Sequence, residues 1–184
     1  EVLYKNSIPH NDVLEIADAA KQKGFASIFV GEHDIAVYQK NNWVKEIFQN
    51  QLNVPPFPEI SFNEIINKEI YQVSPFITEE EQSTLLSHLH NIEPGRWHPA
   101  FVDITAKGNT KQKGIDVIIN HFDIDLSETM AIGDGGNDIS MLQHAQIGVA
   151  MGNARKEVQA MADFVTKSVD DGGISYALKN FNII

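Results

Sequence analysis

The stretch Thr129-Met130-Ala131-Ile132-Gly133-Asp134-Gly135-Gly136-Asn137-Asp138-Ile139-Ser140-Met141-Leu142 decides how this chain folds. Thr129–Ile132 is a short apolar run of strand character, and Ile139, Met141 and Leu142 mark a helix beyond the glycine turn. A strand that enters a Gly/Asp turn and leaves as a helix is the repeating unit of an open parallel sheet. In such sheets ligands sit just past the carboxyl ends of the strands. Asp134 is one step past such an end. Gly135 and Gly136 let the backbone turn sharply and a ligand come close. Asn137 and Asp138 fall at the helix start, where amide groups lack partners. Two carboxylates four residues apart, drawn together by a tight turn, suit a hard cation such as Mg²⁺. A plain Gly/Asp turn with a helix cap reads the same letters.

Three other phosphate or metal motifs fail on particular residues. A dinucleotide fingerprint needs glycine where Asp138 stands. A calcium loop opening at Asp134 needs glycine where Ile139 stands, and no GxxxxGK[ST] segment occurs in the chain.

Around this stretch the texture is regular. Ile115, Ile118, Ile119 and Phe122 repeat at helical spacing. Ile147–Met151 and Phe164–Thr166 read as strands, with helices near Lys156–Met161 and over Ile174–Phe181. From Lys107 onward helix and strand alternate, the pattern of a parallel sheet with helices on its faces. The preceding half reads as an α+β layer. Glu1–Lys5 is a short strand. Pro9 opens a helix with Val13, Ile16, Ala17 and Ala20 on one face, closed by Gly24. Ser27–Val30 and Ile35–Tyr38 flank a turn, and Trp43, Ile47 and Phe48 mark a helix. Pro55, Pro56 and Pro58 break the chain. Glu69–Val73 is a strand ending before Pro75. Thr78 and Glu81 have capping-box spacing for a helix that buries Leu85, Leu86 and Leu89. Gly95–His98 and Phe101–Thr105 form a hairpin.

Composition narrows the function classes. The 184 residues are 42% hydrophobic, enough for a buried core. Lys and Arg number 14 against 25 Asp and Glu, for a formal net charge of −11, which disfavours nucleic acid and anionic membranes as partners. Only Arg96 and Arg155 are arginines, so a phosphate must be handled by a few placed cations or a metal. Cysteine is absent, which excludes disulfides and thiolate metal sites and suits a reducing compartment. The cation most out of place is in Lys107-Gly108-Asn109-Thr110-Lys111, because a lysine at a helix start opposes the helix dipole unless an anion shares the site. Solvated lysines are the competing reading.

These segments resemble the third and fourth motifs of the Cof-type branch of the haloacid dehalogenase (HAD) phosphohydrolase superfamily. Lys107–Lys111 is similar to the third and Gly133–Asp138 to the fourth, GDxxND. Ile147-Gly148-Val149-Ala150-Met151-Gly152-Asn153-Ala154 also matches the branch. The likeness spans the chain, is most specific over 107–184, and lies nearest to bacterial sugar-phosphate phosphatases. It implies an α/β fold: the C-terminal half of a Rossmann-like core plus an α+β cap of type two, subclass B. Residues 1–7 would be a core edge strand, 8–105 the cap and 106–184 the rest of the core.

The implied activity is Mg²⁺-dependent hydrolysis of small phosphorylated metabolites, sugar phosphates foremost, in the cytoplasm. By the resemblance, Asp134 ligates the metal and Asp138 ligates or orients it. Lys111 offsets charge between nucleophile and phosphoryl group, and Asn137 positions Lys111 or the phosphate. The family's opening DxDGT, whose first Asp forms an aspartyl-phosphate and whose second is the general acid/base, has no counterpart here. The only Asp-x-Asp, Asp123-Ile124-Asp125, runs into Leu126 and Ser127. The chain is therefore expected to be a C-terminal piece that needs the N-terminal segment of the same protein and is inactive alone. The alternative is a non-catalytic acidic module, from a split or degenerate gene, that binds a divalent ion or a partner. The codons upstream of Glu1 separate the two. Oligomeric state is not legible in the sequence.

Three further residues are candidates for substrate contact. Arg96 and Trp97 combine an aromatic face with hydrogen-bond donors, a pairing that suits sugars, and a packed hairpin is the competing reading. His33 lies between Glu32 and Asp34 in a turn that would otherwise simply be solvated.

Overall fold

Every strand from the 129–142 stretch onward runs parallel to its neighbour, whereas the strands before it are all antiparallel. The computed structural model describes residues 1–184. It divides into two compact units, Lys5–Asn109 and Glu1–Tyr4 with Thr110–Ile184. No helix is long and apolar enough to cross a membrane.

The unit Lys5–Asn109 contains α1 (His10–Lys23), β1 (Ser27–Gly31), β2 (Ile35–Tyr38), α2 (Asn42–Val44), α3 (Phe62–Ile65), β3 (Ile70–Pro75), α4 (Glu79–Leu86), β4 (Ile92–His98) and β5 (Phe101–Ala106). A π-helical run, Lys45–Gln51, continues α2. The strands form one sheet in the order β2-β1-β3-β5-β4. The sheet is buried on both faces, and its alternating pattern sorts the side chains. Phe29, Val73, Val102 and Ile104 point to one face, where they meet Val13, Ile16, Ala17 and Ala20 of α1 and Leu85 of α4. Ile28, Val37, Phe76 and Phe101 point to the other, under Val44 and Ile47. The expected capping box at Thr78 is present: its side chain accepts the Glu81 N–H, and the Glu81 carboxylate accepts the Thr78 N–H at 2.8 Å.

Two details differ from the sequence reading. The strand expected to stop before Pro75 includes it, opposite Ser27. Proline is tolerated at that last position because the next ladder bond is made by Phe76 N–H to the Ala26 carbonyl at 2.8 Å. Helix α3 escaped the sequence reading. It is one turn long, too short to show a period, and is fixed by a Ser61–Glu64 capping box.

The other unit contains α5 (Lys111–Phe122), β6 (Met130–Gly133), α6 (Ile139–His144), β7 (Ile147–Ala150), α7 (Lys156–Gln159), β8 (Phe164–Val165) and α8 (Gly173–Asn180). The expected alternation holds, and the three strands lie parallel in the order β6-β7-β8. Ala131, Leu142, Ala145, Ala150 and Val158 are its core. Small residues let the layers come close: a Cβ on Gly148 of β7 would fall 2.1 Å from the Leu142 carbonyl oxygen of α6.

One expectation fails at the start of the chain. Glu1–Lys5 forms no strand, since an apolar run becomes one only where a neighbouring strand offers its hydrogen bonds, and none does so here. Within these 184 residues the segment 1–7, expected as an edge strand, is unpaired by any strand. Helix α5 has the expected amphipathic stripe but no buried residue; Ile118 and Phe122 are 47% and 62% exposed. Asp123-Ile124-Asp125 is a turn. Asp123 caps α5 in the left-handed conformation, and Asp125 caps a 3₁₀ turn.

Candidate active site

Strand β6 ends at Gly133, in register with Ala150 of β7. The chain then turns through Asp134 and Gly135 into a 3₁₀ turn, Gly136–Asp138, that leads into α6. This compact return is held by Asp138, whose residue is only 3% exposed. Its Oδ2 accepts the N–H groups of Asp134 and Gly135, both at 2.9 Å. Its Oδ1 pairs with the ammonium of Lys111, the first residue of α5. Burial pushes the Asp138 carboxyl up. The Lys111 ammonium and the Gly135 and Asp134 amides outweigh that and hold it below the usual carboxylate range. Gly133 is required for this arrangement, because a Cβ there would fall 2.6 Å from the Asp138 Cβ and 2.7 Å from its Oδ2.

Lys111 is placed by its helix. Thr110 caps α5 by accepting the Lys113 N–H at 3.1 Å, which fixes where the helix begins. The ammonium that opposes the dipole there is offset by Asp138, and its side chain remains 50% exposed. A cation that is both anchored and accessible can meet an anionic ligand without reorganising.

Asp134 is exposed. Its Oδ2 accepts the Asn153 Nδ2–H at 3.1 Å, and Asn153 Oδ1 accepts the Val169 N–H at 3.0 Å. Asn153 thus ties together the loops that follow β6, β7 and β8. It went unnoticed as a site residue because the Gly152-Asn153 pair after an apolar strand reads as an ordinary turn. Asn137 is exposed on the same return, with its amide close above Gly135.

Lys111, Asp134, Asn137 and Asp138 are therefore brought together at the carboxyl end of the parallel sheet. Asp138, expected to ligate or orient the metal, gives one oxygen to the loop amides and the other to Lys111, and so shapes the site from within. No group of three or more Asp, Glu or His side chains is gathered anywhere. The outward carboxylate is Asp134 alone. That donor set fits Mg²⁺, which takes one or two carboxylates and completes its shell with water and phosphate oxygens.

The remaining candidates lie in the unit Lys5–Asn109, and the fold does not bring them together. His33 is in the β1–β2 turn at one sheet edge, while Arg96 and Trp97 are on β4 at the other. The His33 side chain is 87% exposed, 3.9 Å from the Glu32 carboxylate. The Arg96 guanidinium is turned into the fold. It donates to Gln82 at 2.9 Å, to the Ile77 carbonyl at 3.0 Å and to the Pro99 carbonyl at 3.0 Å. Arg96 thereby fastens the β4–β5 hairpin to the neighbouring α4, and few of its donors are left for a ligand. Trp97 is 57% exposed.

Residues 1–178 match the model of the haloacid dehalogenase-like hydrolases. The chain is 31% identical to YkrA of Bacillus subtilis over 186 residues, covering all of this chain and 71% of that protein. It is 26% identical to the phosphatase YwpJ of the same organism, covering 96% of this chain and 55% of that one. The solved HAD subclass IIB sugar phosphatase BT4131 is 56% identical with a TM-score of 0.88, over all of this chain and 71% of its own. The HAD phosphatase BT1666 from Bacteroides thetaiotaomicron is 36% identical with a TM-score of 0.87, over 98% of this chain and 67% of its own. A family match over nearly the whole length thus meets a carboxylate, a lysine and a tight glycine return at one sheet end: the chain belongs to the haloacid dehalogenase-like hydrolases, a family of enzymes.

Proposed function

We propose that the protein is a magnesium-dependent phosphatase of small phosphorylated metabolites, with sugar phosphates as its principal substrates. The observation that carries this reading is the Lys111–Asp138 pair beside the outward Asp134, at a strand end where anionic ligands bind. An anchored but accessible cation next to a single outward carboxylate matches the demands of a phosphate ester with its divalent ion. The names of BT4131, a sugar phosphatase, and YwpJ, a phosphatase, support the substrate class.

In this reading Asp134 would hold Mg²⁺, kept in place by the Asn153 amide. When bound, the ion supplies charge neutralisation at the phosphoryl oxygens. Lys111 holds a fixed positive charge toward the phosphoryl group, and Asn137 offers its amide N–H to a phosphate oxygen. Asp138 positions Lys111 and keeps the return loop closed. The nucleophilic and acid/base aspartates come from the N-terminal segment of the same protein, outside these 184 residues. The apolar residues Ile118 and Phe122 of α5 offer that segment a surface to pack on. The unit Lys5–Asn109 serves as the cap, with the role of selecting the substrate. The absence of cysteine suits a cytoplasmic location.

The test is Asp134→Asn in the whole protein, assayed against a panel of sugar phosphates over a magnesium titration. The variant is expected to fold normally, because Asp134 is exposed, and to lose turnover at limiting magnesium. Wild-type turnover there would remove Asp134 from the reaction.

A further inference from the structure

The two segments that carry Lys111 and Asp138 are joined a second time, away from the site. Lys111 opens α5, and Asp138 leads into α6. Five residues further along α5, Asp116 meets His144, the last residue of α6. The His144 Nε2 lies 2.6 Å from Asp116 Oδ1. A carboxylate only accepts, so Nε2 carries the hydrogen and donates it. The pair is sheltered, with the His144 side chain 20% exposed and that of Asp116 33%.

The order of the partners fixes the geometry. Lys111 precedes Asp116 on one segment and Asp138 precedes His144 on the other, so the segments run side by side in the same sense. The partners alternate: α5 gives the cation to the first pair and the carboxylate to the second. A single pair would act as a pivot. Two pairs, about 7.5 Å apart along α5, stop that helix from swinging or sliding on α6. A slip of one helical turn, about 5.4 Å, would break both. Apolar packing does not supply this restraint. Helix α5 has no buried residue, and Ile115 alone of its stripe packs against the core of Leu142, Ala145 and Val158. Apolar contact is non-directional and tolerates rotation, whereas a hydrogen bond to a carboxylate is short and directional. Because Lys111 is the first residue of α5, its ammonium stands where the helix puts it.

We infer that Asp116 and His144 are positioning residues whose hydrogen bond locks α5 against α6 and so keeps the Lys111 ammonium on Asp138. Both act through Lys111. The effect on turnover rests on the phosphatase reading above; the lock itself rests on the two pairs.

The experiment first reads the lock without turnover. The whole protein and its His144→Ala variant are labelled with trace acetic anhydride, and acetylation of Lys111 and Lys113 is followed by mass spectrometry. Lys113 is exposed on the same helix and reports any general loosening of α5. An ammonium held on a carboxylate reacts slowly, because the pair favours the charged form. His144→Ala is expected to raise the Lys111 rate about threefold relative to Lys113. His144→Gln, whose Nε2 can replace the ring donor, should restore the ratio. Asp116→Ala removes the other half of the pair and should give the same rise even if His144→Ala fails to fold. With p-nitrophenyl phosphate and magnesium, kcat of His144→Ala should fall about tenfold and KM change less than about twofold. Adding His144→Ala to Lys111→Ala should lower kcat less than about twofold further, since the lock acts through Lys111. The inference is overturned if the labelling ratio is unchanged in both alanine variants, if Lys113 rises as much as Lys111, or if His144→Gln behaves like His144→Ala. A raised ratio with normal turnover would keep the lock and refute the part given to Lys111 in the phosphatase. A raised ratio in a protein whose wild type hydrolyses no phosphate ester would keep the lock and refute the phosphatase itself.

Discussion

Asp138→Asn separates the structural and electrostatic roles of the buried carboxylate. The amide is nearly the same size, and its oxygen can still accept the Asp134 and Gly135 N–H groups that now sit at 2.9 Å. Its NH₂ group would then face the Lys111 ammonium, replacing attraction by donor–donor repulsion. A hydrogen bond to a charged group contributes about 1.5–3 kcal/mol. Because the Lys111 side chain is half exposed, solvent screening reduces its share, so the net loss should be about 1–2 kcal/mol. For a chain of this size that is a fall in Tm of a few degrees, at about 2–4 °C per kcal/mol. Asp138→Ala instead leaves two buried N–H groups without partners and should cost about 3–5 kcal/mol.

The pH dependence carries the sign. The folded carboxyl is held below its ordinary value, so its contribution is fully present above the unfolded pKa of about 3.9. It is lost as the pH falls through the lower folded value. The gap between wild type and Asp138→Asn, measured by urea unfolding of the whole protein, should be constant from about pH 5 to 8 and shrink below about pH 4. An Asn variant as stable as wild type at pH 7, or a gap that widens on acidification, would refute the reasoning.

Lys111→Ala should cost about 1–2 kcal/mol of stability, since it removes the same screened pair and leaves the buried Asp138 only its amide donors, yet lower kcat on the order of 10²–10³-fold. Unfolding and steady-state kinetics on one preparation check both, and a large loss of stability with normal kcat would make Lys111 structural. Gly133→Ala would drive a methyl into Asp138 and should destabilise by about 1–3 kcal/mol while also lowering turnover. Normal turnover in that variant would show that the return loop tolerates displacement. Arg96→Lys should fail to rescue Arg96→Ala, because one ammonium cannot reach Gln82, Ile77 and Pro99 together. Equal Tm for Arg96→Lys and wild type would contradict the hairpin clamp.

Much of the site was legible before any coordinates. Gly133–Asp138 announced a strand-to-helix return by its letters, and Lys111 stood out because a cation at a helix start needs an anion. What the letters could not give was direction. Asp134 and Asp138 look equivalent in sequence, yet one faces outward and the other is buried with both oxygens engaged. Nor could they reveal Asn153, whose two bonds join loops 19 residues and 16 residues apart. Arg96 and Trp97 are neighbours in the chain, but strand alternation sends one guanidinium inward toward α4 and the other ring to Asp103.

The sequence by itself determined the class of most elements, the alternation that makes the later sheet parallel, and the glycine return that sets a carboxylate at a strand end. These follow from local rules: periodicity, capping and the steric freedom of glycine. It also predicted a strand at Glu1–Lys5 that does not form, because pairing depends on a neighbour and not on the run itself. Tertiary structure alone decided which carboxylate is buried, which cation it anchors, and that Asp116 and His144, 28 residues apart, meet across two helices. Those outcomes depend on contacts between residues distant in sequence, and no local propensity encodes them.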